Sequence, residues 1–196
     1  MATVGLKDLF YAKYNRSETG DEYFDKPMRL AKAIEVKIKI NYSMSAVEKE
    51  DVVVDADREF RDGTIEINVN DIAPVDKANL LGRMHLVGED LTISKSSDRA
   101  PYVALGFRAK KSGPGNQYRW VWLFKVRFAL VNVKHRSRSK GVVEYQTPVL
   151  SGQITVMNNG AWMNDLIAGE SNPLAKEWFD NVAPWQDAVA ALRMTT

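Results

Sequence analysis

Strict alternation of apolar and polar residues over positions 34–42 constrains this chain more than any other feature of its sequence. Apolar side chains occupy the even positions and polar side chains the odd ones. A period of two places successive side chains on opposite faces of a β-strand, so this strand has one apolar and one polar face. Residues 64–70 repeat the pattern. Such strands are typical of antiparallel sheets that cover a core on one side and contact water on the other.

The composition indicates one folded domain spanning residues 1–196. The chain is 45% apolar and 27% charged, which is ordinary for a globular domain. The absence of cysteine excludes a disulfide framework and a thiolate metal site. No apolar run approaches the ~20 residues of a membrane helix, and the first residues lack the order of a signal peptide. We expect no membrane partner, and synthesis in the cytoplasm with export only inside a larger particle.

Charge is unevenly distributed along the chain. The formal net charge is +2, but residues 99–150 contain eleven basic residues and one acidic residue, Glu144, which gives this segment +10. Residues 1–98 carry −5 and residues 151–196 carry −3. A basic middle between acidic ends favours one of two partners: a polyanion, or further copies of the chain that dock acid against base.

The pattern predicts a mainly β fold, an antiparallel β-sandwich or partial barrel with helical additions. A glycine-rich turn at 112–116 joins two of the strands. The second of these strands carries a row of aromatic and aliphatic side chains from Tyr118 to Leu130 on one face, and such a row is most simply read as core. The expected strands are 3–14, 33–42, 64–70, 102–110, 118–130, 142–146 and 151–157.

Two regions are predicted to be helical. A short internal helix is expected within 73–82, where Pro74 suits the first turn and Gly82 the C-terminal stop. The C-terminal segment 172–196 changes from a β to a helical pattern, with Asn172 placed to cap its first helix.

Residues 43–62 form an acidic segment, which we predict to be a long loop. Loops of this length are uncommon inside compact domains and are usually functional or disordered. Three consecutive valines argue against plain disorder. We expect this loop to contact a neighbouring subunit through Glu48, Glu50, Asp51, Val52, Val53, Val54, Asp55 and Asp57.

No sequence signature of catalysis stands out. The chain has no glycine-rich phosphate loop and no nucleophile elbow, and its only histidines, His85 and His135, have dissimilar surroundings. The adjacent carboxylates Glu50 and Asp51 belong to a charged segment rather than to an apolar pocket, which disfavours acid–base catalysis. We expect no enzyme, no metal, no cofactor and no small-molecule substrate.

A basic tract at 134–140 has two interpretations. It forms either a solvated hairpin tip or a surface that contacts phosphate, through Lys134, Arg136, Arg138 and Lys140. No recognition helix or RNA-binding aromatic signature accompanies it, so any contact with nucleic acid is expected at phosphates rather than bases.

Eight short motifs follow one another along the chain: GLKDLFYA (5–12), RLAKAI (29–34), EFRDGT (59–64), LLG (80–82), APYVALGFR (100–108), YRWVWLFKV (118–126), YQTP (145–148) and WF (178–179). Together they resemble the major tail protein (tail tube) family of long-tailed, non-contractile bacteriophages, the siphophages. The motifs follow the family order from residue 5 to about residue 180. The segment 132–140 is more basic than the family pattern, and the tail after Pro184 departs from it.

The resemblance implies a tail-tube fold and a structural virion protein. Such subunits form hexameric rings that stack into a tube, and their strands join in an inner barrel that conducts DNA during ejection. The implied partners are further copies of the chain, the tape-measure protein, and the tail terminator and distal tail proteins. In such a tube, mixed or acidic residues are expected to line the bore. The expected lumen-facing residues are Glu35, Lys37, Lys39, Asn41, Glu66, Asn68 and Asn70.

Two other functions remain open on the sequence. A tube subunit of a phage-derived bacteriocin particle would share the fold and the assembly but carry no DNA. A nucleic-acid-binding module would instead bind free DNA with an affinity that falls steeply with salt.

Overall fold

The computed structural model describes residues 3–49, 52–86, 88–89, 91–113, 115–130 and 148–182. Their secondary structure is mainly β and antiparallel, as the alternation predicts. None of the helices described is long and apolar enough to cross a membrane. The elements are β1 (Thr3–Arg16), β2 (Glu22–Phe24), β3 (Met28–Arg29), β4 (Ala33–Lys49), β5 (Val52–Val69), α1 (Pro74–Leu81), β6 (Met84–Leu86), β7 (Leu91–Ile93), β8 (Tyr102–Lys111), β9 (Gln117–Leu130), β10 (Val149–Ile154), β11 (Met163–Gly169) and α2 (Pro173–Lys176).

Nine of the described strands form one sheet. Seven of them follow the order β2-β1-β8-β9-β10-β5-β4, and β3 and β11 pair with strands of this series. The long strand β9 pairs with β8 along one edge, and with β11 and then β10 along the other. β3 adds to β1. β1 also contacts β4, although four strands separate them in the sheet order. This contact shows that the sheet curls. The remaining strands, β6 and β7, form a separate two-stranded hairpin.

The main core lies on the inner side of the curled sheet. Fully buried side chains from β1, β5, β8, β9 and β10 pack there, and α1 contributes Leu80. The predicted boundaries of α1 are confirmed: Pro74 begins the helix, and Gly82 ends it with φ 67°. A Cβ at Gly82 would stand 2.0 Å from the backbone oxygen of Arg99, so only glycine fits this left-handed position.

The expected single apolar face of β9 is wrong, because a bulge shifts its alternation. Leu105 of β8 pairs with Leu123 of β9, whereas Val103 pairs with Val126, so β9 has one extra residue between the two pairs. A bulge of this kind reverses the side to which later residues point. Before the bulge, Trp122 lies on the outer side of the sheet and Leu123 lies in the inner core. After the bulge, the even-numbered residues Val126 and Phe128 lie in the inner core instead.

Aromatic side chains cover part of the outer side of the sheet. Trp120 and Trp122 of β9 contact Phe179, which also stacks on Phe10 of β1 at 4.5 Å between ring centroids. The indole of Trp122 donates a hydrogen bond of 2.8 Å to the carbonyl of Trp178. The segment after β11 therefore closes this half of the outer side.

The predicted C-terminal helix begins as expected but is short within the described residues. The side chain of Asn172 accepts a 2.9 Å hydrogen bond from the backbone N–H of Leu174, which caps α2. α2 ends at Lys176. The second part of the expected helical segment, 183–196, lies outside the described residues.

The expectation of a long loop at 43–62 is wrong. β4 and β5 continue as a paired hairpin, in which Ser43 lies opposite Glu59, Ser45 opposite Asp57 and Val47 opposite Asp55. Backbone hydrogen bonds between neighbouring strands do not require an apolar face, so a segment rich in acidic residues can continue the ladder. Of the residues expected to contact a neighbour, Glu48, Val52, Val53, Val54, Asp55 and Asp57 belong to this hairpin, and Glu50 and Asp51 lie outside the described residues.

Candidate functional site

A polar face on the outer side of the sheet brings most of the predicted lumen-facing residues together. Glu35 of β4 lies opposite Asn68 of β5, and Lys37 lies opposite Glu66. Farther along the same pair of strands, Lys39 faces Thr64. Because residues that are directly opposite in an antiparallel ladder point to the same side, these side chains share one surface.

The polar face continues across two more strands. Ser151 of β10 lies between Glu66 of β5 and Ala129 of β9. Gln153 lies between Thr64 of β5 and Arg127 of β9. The face therefore spans β4, β5, β10 and the last part of β9. We use the term polar face for Glu35, Lys37, Lys39, Asn41, Asp62, Thr64, Glu66, Asn68, Arg127, Ser151 and Gln153.

Water has access to most of the polar face. The side chains of Glu35, Lys37, Lys39 and Glu66 are exposed, whereas Asn68 is half-buried. Lys37 and Glu35 form an ion pair of 3.3 Å between Nζ and Oε2, and both side chains are more than half exposed. A surface pair of this kind contributes little to folding, so the arrangement of these charges is not needed for stability.

At the far end of the polar face, Asn41 donates a hydrogen bond to Asp62, and Asp62 also accepts a 2.8 Å bond from Nε of Arg61. The bond from Asn41, followed by the bond from Arg61, holds the pKa of Asp62 below its ordinary value. Asp62 is therefore ionised at neutral pH. The polar face includes three carboxylates and three cations, which gives it no net formal charge.

A half-buried charged cluster lies beside the polar face, where the side chain of Lys125 on β9 reaches Glu22 on β2. Lys125 of β9 lies 4.7 Å from the ring centroid of Tyr14 and 3.5 Å from the carboxylate of Glu22. The guanidinium of Arg127 lies 3.9 Å from the centroid of Tyr102, where it makes a cation–π contact. The contact with Tyr102 favours one orientation of Arg127 on the polar face.

The structure thus places six of the seven predicted lumen residues on one surface. The seventh, Asn70, is exposed but lies just past the end of β5. The predicted basic surface of Lys134, Arg136, Arg138 and Lys140 lies outside the described residues. The described residues contain no group of three or more acidic or histidine side chains that could hold a metal ion.

Sequence reasoning missed the contributions of β9 and β10. Alternation of Ser151 and Gln153 with Gly152 and Ile154 is a visible signal for the polar side of β10. Arg127 gave no comparable signal, because its side depends on the bulge in β9. Asp62 was assigned to the expected loop, although it pairs with Asn41.

Two features of β4 leave it incompletely covered within the described residues. No strand pairs with its outer edge, which is 17 residues long. Its apolar side faces a groove of about 410 Å³ between β4 and strands β8, β9 and β11, and there Ile38 is 36% and Tyr42 52% exposed. The residues lining this groove are Val36, Ile38, Ile40, Tyr42, Phe107, Ala109, Arg119, Val121, Trp162 and Met163.

A long unpaired edge next to exposed apolar side chains is a surface that soluble proteins usually protect. The described part of this chain carries both features on one strand.

In comparisons with known proteins, no protein-family model and no curated protein matches the chain.

Proposed function

We propose that this protein is the tail-tube subunit of a long-tailed, non-contractile bacteriophage. Copies of it assemble into stacked hexameric rings, whose shared bore conducts DNA during ejection. The protein is then a structural component of the virion, made in the host cytoplasm and without enzymatic activity. The ordered series of family motifs from residue 5 to about residue 180 supports this assignment.

One observation carries the proposal: the polar face ends at a strand whose outer edge is unpaired in the described residues. A water-accessible surface spans β9, β10, β5 and β4, and the outer edge of β4 has no partner in the described residues. A neighbouring copy can extend the sheet at this edge, and repetition of the contact closes a ring without free edges.

The dimensions suit a duplex. Six copies that each contribute four strands give about 24 strands, and at ~4.8 Å spacing and ~40° tilt the barrel has a backbone diameter of roughly 45–50 Å. Side chains projecting inward from such a wall leave a bore that admits double-stranded DNA. This estimate uses the four strands of the polar face and the ring number implied by the family.

The charge of the polar face suits transit rather than binding. Three carboxylates and three cations are interspersed on it, so attraction and repulsion toward phosphate offset each other along the surface. A conduit requires weak contact with its cargo, since attraction repeated at every phosphate would hold the DNA in place. A nucleic-acid-binding module would instead present a surface with an excess of positive charge.

Electron microscopy of the purified protein tests the proposal. Negative-stain images over a range of concentrations should contain tubes, or rings with a central opening. A protein that stays monomeric at every concentration, or forms only solid fibres, would refute the assignment. A bacteriocin particle would give the same tubes, and the presence of DNA in the particle that carries this subunit distinguishes it from a phage.

A further inference from the structure

The hairpin β6–β7 carries an apolar face with no cover in the described structure. Met84 pairs with Ile93, and Leu86 pairs with Leu91, so these four side chains point to the same side. Each is between 36% and 50% exposed. A two-stranded hairpin is at best marginally stable by itself, so an exposed apolar face of this kind indicates a docking surface.

The groove beside β4 is a second uncovered apolar surface, and it is separate from the hairpin. The hairpin follows α1, which contacts both of its strands and β9 and packs Leu80 into the core. The groove lies farther along the sheet, where Ile38 of β4 faces Phe107 and Ala109 of β8. No residue of the hairpin or of α1 lines the groove, so one copy can use both surfaces at the same time.

Charges at the two surfaces are complementary. Glu89 is exposed at the turn of the hairpin. Arg119 lines the groove but is already paired with Asp165 at 2.7 Å, so its charge is offset there. Lys111 follows Ala109 on the same side of β8, since both residues are odd-numbered positions of one strand. Contact between the hairpin turn and this end of β8 would place Glu89 near Lys111, which favours one orientation of the contact.

We propose that the apolar face of the β6–β7 hairpin of one copy packs into the β4 groove of a second copy. The inference rests on the proposed self-assembly and names one of its contacts. Because the hairpin and the groove are different surfaces, the contact is head-to-tail and repeats from copy to copy. It buries Met84, Leu86, Leu91 and Ile93 of one copy against the apolar side of β4 in the next.

Single-cysteine cross-linking tests this contact directly, because the chain has no cysteine of its own. Leu91→Cys is mixed under mild oxidation with Ile38→Cys, one of the two carrying a tag that distinguishes them by mass. The control replaces Ile38→Cys by Val156→Cys, a position of similar exposure after β10 and outside the groove. The proposal predicts that the yield of the mixed disulfide is several-fold higher than the yield in the control mixture. It should also be several-fold higher than the yield of the disulfide that either variant forms with itself.

A second variant measures the energetic role of the hairpin. Leu86→Glu should raise the concentration needed for assembly at least several-fold, whereas Val156→Glu, at a position of similar exposure, should leave it unchanged. Circular dichroism and thermal unfolding confirm that each variant is folded. If the wild-type protein assembles but the mixed disulfide stays at the control yield, this contact is wrong and the tube assignment stands. If the wild-type protein never associates, the proposed function itself fails.

Discussion

Glu22 and Lys125 form an ion pair of 3.5 Å, although 103 positions separate them in the chain. The Glu22 side chain is 6% exposed and that of Lys125 16%. Glu22 also accepts hydrogen bonds from the hydroxyl of Tyr14 and, at 2.8 Å, from the backbone N–H of Asn158. One carboxylate therefore ties β2 to β1, to β9 and to the segment after β10.

This carboxylate should make stability depend on pH. Burial raises the pKa of Glu22, but the bonds from Tyr14 and Asn158 and the charge of Lys125 outweigh burial and lower its pKa below the ordinary 4.5. The folded state therefore gains stability from Glu22 above about pH 4.5, and this gain is lost as the pH falls through the lower folded-state pKa.

Glu22→Gln should cost about 1–3 kcal/mol in the free energy of unfolding at pH 7, since it leaves Lys125 without its counter-charge. Urea unfolding of both proteins at several pH values measures the difference. The difference should shrink below about pH 4.5. A difference that stays constant or grows on acidification would contradict the role assigned to Glu22.

Asp8 should matter to stability through both its side chain and its backbone. It has φ 52°, lies at a register shift in β1, and pairs with Arg29 and Arg108. Asparagine tolerates this backbone conformation, but Asp8→Asn removes the charge that faces the half-buried Arg108. We therefore expect a loss of about 1–2 kcal/mol in the free energy of unfolding. Asp8→Ala should lose about 1 kcal/mol more, since alanine is strained there.

The matched control for Asp8 is Glu170→Gln, because Glu170 pairs with the same Arg108 but is 55% exposed. Its loss in unfolding free energy should stay below about 1 kcal/mol, as for other surface pairs. Equal stability of Asp8→Asn and the wild-type protein in urea would show that the Arg108 pair contributes nothing measurable.

The sequence predicted those parts of the fold that local patterns determine. Alternation at 34–42 identified β4 and its polar side, and Pro74 with Gly82 marked both ends of α1. β11 was missed because Met163–Gly169 has no regular alternation, and it forms a strand by pairing with the first half of β9. Such pairing depends on residues some 40 positions away, which no local pattern reveals.

The candidate site was predicted in part for the same reason. The β4 and β5 residues of the polar face follow from their own alternation, but Arg127 joins them only because a bulge shifts β9 by one residue. The hairpin at 43–62 was mistaken for a loop because its many acidic residues outweighed the short alternation at Val52, Val54 and Ala56, which is a signal for a strand.

Shortening the β4–β5 hairpin should separate folding from assembly. Residues 45–49 pair with residues 52–57, and if 45–57 are removed, the pair of Met44 with Arg58 can be closed by Asn-Gly, which favours a two-residue hairpin turn. We expect the shortened protein to keep its fold and thermal stability, measured by circular dichroism, but to form no tubes in negative stain. Normal tubes from the shortened protein would refute an inter-subunit role for this hairpin.

Reversing charge on the polar face should convert the tube into a DNA-binding surface. Glu35 and Glu66 are exposed, so Glu35→Lys with Glu66→Lys should change the free energy of unfolding by less than about 1 kcal/mol. Assembled tubes of this variant should retain duplex DNA, with a slope of log affinity against log salt of about −0.9 per phosphate contacted.

The control for the charge reversal is Glu177→Lys with Asp180→Lys, which makes the same change in net charge at exposed positions beyond α2. These tubes should retain no more DNA than wild-type tubes at any salt concentration. Equal retention by both variants would show that overall charge, rather than the polar face, determines the contact with DNA.

A cryo-electron microscopy map of the assembled protein tests the central claim most directly. The account predicts a hollow tube in which Glu35, Lys37, Lys39 and Glu66 of every copy point into the bore. A map in which these four side chains lie on the outer surface, or are packed against another subunit, would contradict it.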